Sequence, residues 1–254
     1  MAVTRVLVVD DSLFMRKLIT RLVTEDPQLQ VAGTASHGEE AVKLVGELRP
    51  DVITMDVEMP VMNGLDALAR IMKERPTPVV MLSSLTREGA RETVEALQRG
   101  AVDFVAKPSG STSADLYKVK GELIAKIKAA AQTPPHVLQP IVRRAAPASA
   151  WTSGASAKVT APTGSRFGQL IAIGTSTGGP MALDAVIGSL PAGFPYPVLV
   201  VQHMPPNFTK SLAQRLDGSS QVRVVEAEDG QLIEGGTVYV APGDYHMTAA
   251  ERGG

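Results

Sequence analysis

Leu170-Ile171-Ala172-Ile173-Gly174-Thr175-Ser176-Thr177-Gly178-Gly179-Pro180 is a short apolar run that ends in a glycine-rich turn carrying one serine. Its length and bounding glycines predict a buried parallel strand. Beyond it, Met181-Ala182-Leu183-Asp184-Ala185-Val186-Ile187 has the apolar spacing of a helix, with Pro180 in the first turn, where its missing N–H is no loss. Strand, tight turn and helix form the repeating unit of an open α/β sheet. Gly174-x-Ser176-x-Gly178 fits a nucleophile elbow, a turn that pushes a hydroxyl out at the sheet edge between residues small enough to admit substrate. Backbone N–H groups at the helix start could then face an oxyanion. The same residues also fit a plain glycine-rich turn or a phosphate-binding loop.

A second stretch weighs between these readings. Pro197-Val198-Leu199-Val200-Val201-Gln202 is another apolar strand, read as buried, and His203 follows it directly. If the two strands are parallel neighbours joined by the intervening helix, Ser176 and His203 emerge at one C-terminal edge, where open α/β sheets place their chemistry. A serine and a histidine at equivalent ends of consecutive strands make a nucleophile–base pair. Downstream, residues 206–216 predict a short helix through Phe208, Leu212 and Leu216. Residues 221–226 and 237–241 predict strands, the second leading into Pro242-Gly243-Asp244-Tyr245-His246. Asp244 and His246 are rim candidates whose simpler reading is a structural loop.

Upstream, the N-terminal half repeats the strand–helix unit five times. Strands are expected at 4–9, 29–34, 51–55, 78–82 and 102–106, and helices at 13–23, 38–48, 64–74, 88–99 and 114–131. Leu13, Phe14, Leu18, Ile19, Leu22 and Val23 mark the core face of the first helix. Ala41, Val42, Val45 and Leu48 do so for the second, and Leu116, Leu123, Ile124 and Ile127 for the last. The expected architecture is a five-stranded doubly wound parallel domain, a linker, then a second α/β domain with a mostly parallel sheet. Asp10 and Asp11, Asp56, Ser83 and Lys107 each fall at a strand's C-terminal end and so converge. Carboxylates that close raise one another's pKa unless a cation lies among them. Oxygen ligands without histidine or thiolate point to Mg²⁺, and a hydroxyl and a lysine opposite suit a phosphoryl group. Asp-Asp-Ser alone would read as a helix cap.

Composition sets the bounds. The 254 residues suit two domains of about 100–200 residues each, and a hydrophobic content of 44% is ample for two cores. No apolar run reaches the roughly 18 residues of a membrane span, and no signal peptide is evident. The absence of cysteine excludes a disulfide scaffold and a thiol nucleophile and suits the cytoplasm. A net charge of −1 gives no electrostatic case for nucleic acid. His37, His136, His203 and His246 lack metal-ligand spacing. The expected domains are 1–131 and 166–254. Between them, 132–165 is rich in Pro, Ala, Ser, Thr and Gly and reads as a semi-extended linker that contains the single tryptophan, Trp151.

Val8-Val9-Asp10-Asp11-Ser12, Met55-Asp56-Val57-Glu58-Met59-Pro60-Val61-Met62-Asn63-Gly64 and Phe104-Val105-Ala106-Lys107-Pro108 resemble a response-regulator receiver domain. The resemblance implies that Asp56 takes a phosphoryl group from a chemotaxis histidine kinase. It also implies that Asp11, Asp56 and the Glu58 carbonyl ligate Mg²⁺, that Asp10 acts through water, and that Ser83 and Lys107 contact phosphoryl oxygens. Phe104 stands at the family's aromatic switch position and reads equally well as a core residue. The stretches around Ser176, His203 and Pro242–Met247 resemble the chemotaxis protein-glutamate methylesterase and protein-glutamine glutaminase family. That resemblance implies attack by Ser176 on glutamate methyl esters of methyl-accepting, membrane-bound chemoreceptors, with His203 as base, Thr177 lining the site or donating to the oxyanion, deamidation of glutamines at the same centre, and no cofactor for the hydrolase.

One departure is large. The family's triad aspartate lies C-terminal to the last motif here, and Asp184, Asp217, Asp229 and Asp244 do not match it. The chain therefore resembles a C-terminally truncated form with poor activity. The rival expectation is a receiver joined to a catalytically incomplete binding or scaffold module in two-component signalling.

Overall fold

Strand residues in the N-terminal half are aliphatic without alternation, the pattern of strands covered on both faces. The computed structural model of the chain describes residues 3–84, 86–107, 113–134, 138 and 169–250, and the chain divides into two compact units. In the first, strands β1 (Thr4–Val9), β2 (Leu29–Ala35), β3 (Val52–Asp56), β4 (Val79–Ser83) and β5 (Asp103–Ala106) alternate with helices α1 (Leu13–Thr24), α2 (Gly38–Leu48), α3 (Gly64–Glu74), α4 (Arg87–Gln98) and α5 (Ser113–Ala131). The sheet order is β2-β1-β3-β4-β5, with every pair parallel. Strands β3 and β4 are buried at every position, as a sheet with helices on both faces requires.

Local chemistry sets the helix starts at the sheet's C-terminal edge. The side chains of Ser12, His37, Asn63 and Thr86 each accept a hydrogen bond from the backbone N–H three residues on, satisfying a donor that the helix cannot. Gly64 must be glycine: a Cβ there would lie 2.0 Å from the Asp56 carbonyl oxygen, and its N–H donates to Val57 O at 2.8 Å. Helix α3 thus starts in direct contact with the end of β3.

The C-terminal part of the described chain contains β6 (Ile171–Thr175), α6 (Gly179–Gly188), β7 (Val198–Gln202), α7 (Phe208–Ser219), β8 (Arg223–Glu226) and β9 (Thr237–Val240). Its four strands run parallel in the order β6-β7-β9-β8. Leu183 and Ile187 of α6 and Phe208, Leu212 and Leu216 of α7 are buried together with Val198, Val200, Val224 and Val238.

Two burial expectations are corrected. Leu13 and Phe14 are 58% and 51% exposed, and the core face of α1 begins only at Leu18. They occupy the first turn of the helix, directly after its Ser12 cap. The strand before the serine is also not buried. Among the described residues it is an edge strand with a neighbour on one side, and Ile171 stays 38% exposed; Val201 of β7 is 51% exposed. Val42, Leu48 and Ile124 are half-buried rather than core. The side chain of Leu116, all of Trp151, and the expected linker apart from 132–134 and 138 lie outside the described residues.

Candidate functional sites

Parallel strands deliver their last residues to one edge, and in the first sheet that edge is acidic. Asp10 follows β1, Asp56 ends β3, Ser83 ends β4 and Lys107 follows β5. Asp10 is fully buried and Asp56 nearly so, whereas Asp11 is exposed. The Lys107 ammonium lies 2.7 Å from Asp56 Oδ2 and 3.0 Å from Asp10 Oδ2. Asp10 Oδ1 accepts from Ser12 N at 2.9 Å. The Arg16 guanidinium donates to the carbonyls of Asp10 and Asp11, which holds the β1–α1 turn in place.

Burial pushes the Asp56 carboxyl up to about 6, even though Lys107 pulls it down; Asp10 and Asp11 add to the rise. Burial works against the Lys107 ammonium, but Asp56 and Asp10 outweigh it and raise its pKa. One lysine therefore does not balance the pocket. Asp10, Asp11 and Asp56 each offer a carboxylate oxygen, and these lie within 4.8 Å of one another. An all-oxygen donor set of this charge fits a hard divalent cation such as Mg²⁺.

The adjoining cavity, of about 540 Å³, is lined by Asp11, Asp56, Glu58, Asn63, Glu92 and Lys107 among others. Glu92 has no sequence signal, being an ordinary glutamate inside α4. Burial, then Glu58, Glu95 and Glu88, raise its carboxyl pKa, and its Oε2 is buried without a hydrogen-bond partner among the described residues. Ser83 lies at the strand end as expected, but its hydroxyl donates to Gly89 O of α4 at 3.0 Å. Phe104 is buried, with the Lys126 ammonium 5.0 Å from its ring centroid and bonded to its carbonyl oxygen at 2.6 Å. Lys126 also pairs with Asp103 at 3.3 Å and Glu122 at 2.8 Å, so a buried cation pins β5 to α5.

The second sheet presents a hydroxyl and an imidazole. Strands β6 and β7 pair in parallel with Thr175 opposite Gln202, and His203 N donates to Thr175 O at 3.1 Å. Ser176 and His203 are the next residues on neighbouring strands, and both are exposed. Past the serine, Thr177 is half-buried, Gly178 has φ +76°, and Gly179 N donates to Ser176 O at 2.8 Å. The positive φ explains the glycine, since L side chains rarely adopt that conformation. Strand β9 lies beside β7 and brings Gly243 and the exposed Asp244, Tyr245 and His246 to the same edge.

No carboxylate among the described residues bonds His203. Asp184 pairs with Arg215, and Asp217 accepts from Val224 N at 2.8 Å. Asp244, at φ 66°, and Asp229 are exposed. A residue with no motif stands at this edge: Thr209, fully buried in the first turn of α7, whose hydroxyl accepts from the N–H of Gly243, in the Pro242–Met247 stretch, at 3.1 Å.

The chain matches two family models: a response regulator receiver domain over residues 6–118 and a CheB methylesterase over residues 171–253. A protein-glutamate methylesterase/protein-glutamine glutaminase of Geobacillus kaustophilus is 51% identical over 260 residues, spanning 100% of this chain and 70% of the relative. The protein of the same description from Thermotoga maritima is 50% identical over 254 residues, 99% of this chain and 70% of the relative. The crystal structure of the response regulator domain of Thermotoga maritima CheB superposes with a TM-score of 0.50 at 53% identity, covering 52% of this chain and 99% of that one.

Proposed function

The chain belongs to the CheB methylesterase family, with a response regulator receiver domain preceding the hydrolase segment, and we propose that Ser176 and His203 carry its hydrolysis and Asp56 its control. The activity is phosphorylation-regulated hydrolysis of glutamate methyl esters, and deamidation of glutamines, on chemoreceptors. A catalytically incomplete scaffold is not favoured, because relatives matched over the whole chain carry the hydrolase description.

The observation that carries the catalytic assignment is the β6–β7 register. It makes Ser176 and His203 successive exits from adjacent parallel strands, joined through His203 N and Thr175 O. In the proposed mechanism Ser176 Oγ attacks the ester carbonyl carbon while His203 takes the hydroxyl proton. The tetrahedral oxyanion is stabilised by the backbone N–H of Thr177, the residue after the serine. His203 returns the proton to the leaving methoxide, or to the leaving amine of a glutamine, so methanol or ammonia departs. Water, deprotonated by His203, then attacks the acyl-serine, releasing glutamate and restoring the hydroxyl.

Control belongs to the acidic pocket. Asp56 Oδ attacks a phosphohistidine phosphorus of the partner kinase, and the histidine departs. Asp11, Asp56 and the Glu58 carbonyl would hold Mg²⁺, with Asp10 beside them; when bound, the ion offsets charge on the transferring phosphoryl group. Lys107, already at Asp56, would bind a phosphoryl oxygen. Ser83 would bind another after exchanging its bond to Gly89 O. We assign 1–131 to the receiver, 132–165 to a linker and 166–254 to the hydrolase segment; the two family matches fall inside these limits.

The test is release of methanol from methylated receptor, with and without a small phosphodonor, in the unsubstituted chain, Ser176→Ala and Asp56→Asn. Release should depend on Ser176 and respond to the phosphodonor only where Asp56 is present. Release that survives Ser176→Ala would remove the serine from the mechanism.

A further inference from the structure

The loop that carries His203 into α7 is four residues long, Met204-Pro205-Pro206-Asn207, and α7 begins at Phe208. Asn207 stands at the cap position in the left-handed region, φ 71°, and makes no side-chain cap bond. In the first turn the Ser211 hydroxyl bonds back to Asn207 O at 3.2 Å, whereas the partners of Thr209 lie on other elements. Fully buried, its hydroxyl donates to Glu226 Oε1 at 2.7 Å, at the end of β8, and accepts from Gly243 N at 3.1 Å, three residues past β9. One hydroxyl thus ties the start of α7 to the ends of two strands.

Gly243 is pressed against the histidine loop itself. A Cβ there would lie 2.6 Å from Pro205 C and Pro206 N and 2.7 Å from Met204 O, all of them backbone atoms that cannot yield without moving the loop. On the opposite side, His203 N is bonded to Thr175 O, next to Ser176. The histidine backbone is therefore held between the end of β6 and a backbone-to-backbone contact that Thr209 fastens.

From this we infer that Thr209 is a positioning residue for His203, acting with Glu226 and Gly243 as a brace that keeps the imidazole-bearing loop in register with the serine turn. The inference rests on the reading of Ser176 and His203 as nucleophile and base. Such a pair needs its support, because a displacement of about 1 Å can cost on the order of 100-fold in rate. Threonine suits the place because a hydroxyl donates and accepts at once. Valine would fill the same volume and leave the Gly243 N–H and a Glu226 oxygen unpaired.

The test uses the full 254-residue chain, with two readouts: amide hydrogen exchange at His203 and steady-state hydrolysis of methylated receptor. Thr209→Val should speed His203 exchange about tenfold and lower kcat about tenfold or more with KM unchanged. Exchange of core amides in β8 and β9 should stay slow. Thr209→Ser, which keeps the hydroxyl, should restore both readouts. Gly243→Ala should reproduce the valine variant by displacing the loop; should it not fold, the two Thr209 variants decide. Unchanged His203 exchange and kcat in a folded Thr209→Val protein would overturn the brace. A serine variant as impaired as the valine one would do the same, since the hydroxyl would then not matter. If Ser176→Ala leaves hydrolysis intact, the catalytic reading has failed, and the exchange rates alone decide the brace.

Discussion

The two sheets handle the same geometric opportunity in opposite ways. Both are parallel and both converge their polar residues at the C-terminal edge, yet β3 and β4 are buried throughout while β6 is an exposed edge strand. The first site sinks its carboxylates, Asp10 completely, and the cost appears as an Asp56 pKa near 6 beside a lysine. The second leaves Ser176 and His203 at the surface. The difference follows from position in each sheet: β3 and β4 each lie between two neighbouring strands, whereas β6 has one neighbour among the described residues. A strand flanked on both sides carries its last residues into a desolvated edge, which disfavours their charged forms, while an edge strand leaves them in water.

Single substitutions should break the comparison cleanly. The largest expected effect is at the open edge: Ser176→Ala or His203→Ala should lower methyl-ester hydrolysis on the order of 10⁴-fold, with the double variant little worse than either. Steady-state methanol release measures this; additive losses would take one of them out of the pair. At the buried edge, Asp56→Asn should abolish acid-labile, Mg²⁺-dependent incorporation of label from a small phosphodonor, while Ser176→Ala labels normally. Full labelling of Asp56→Asn would move the phosphosite elsewhere.

Stability should sharpen the contrast. Ile53→Ala, at a fully buried strand position, should cost about 2–5 kcal/mol in urea unfolding. Ile171→Ala, at the exposed edge, should cost about 1 kcal/mol or less. Equal losses would mean that the second sheet is as thoroughly covered as the first.

The smallest effect is electrostatic and belongs to α2, beside the first sheet. Glu40 accepts hydrogen bonds from Ser36 N at 2.7 Å and Ser36 Oγ at 2.9 Å. These bonds, the backbone one first, hold its carboxyl below the ordinary value of 4.5. A depressed pKa in the folded state stabilises above the unfolded value and is lost as pH falls through the folded one. Glu40→Gln should therefore lose slightly less stability than the unsubstituted chain on acidification below about 4.5, as read by thermal unfolding at a series of pH values. An unchanged acid limb would show that the Ser36 bonds do not discriminate the ionised form.

Much of this was legible in the chain alone. Strand-end positions of Asp10, Asp56, Ser83 and Lys107, and of Ser176 and His203, followed from apolar runs of strand length ending in polar residues, and parallel pairing then had to gather them. What periodicity reports is which side of an element is apolar, not what covers it. Leu13 and Phe14 continue the apolar stripe of α1 yet stay exposed in its first turn, and Ile171 belongs to a strand-like run whose edge position only the sheet order reveals. Ser83 has the expected place, but its hydroxyl is bonded to α4.

Glu92 and Thr209 were invisible for a related reason. Neither belongs to a local pattern, and their environments come from residues distant along the chain: Thr209 bonds Glu226, 17 positions away, and Gly243, 34 away. The sequence by itself determined the parallel architecture and the chemistry offered at each edge, because both depend on short-range patterns that one strand or helix can express. Only the tertiary structure decided burial, the rise in the Asp56 pKa and the bracing of the histidine loop, because desolvation and hydrogen bonding depend on which separate segments are brought together.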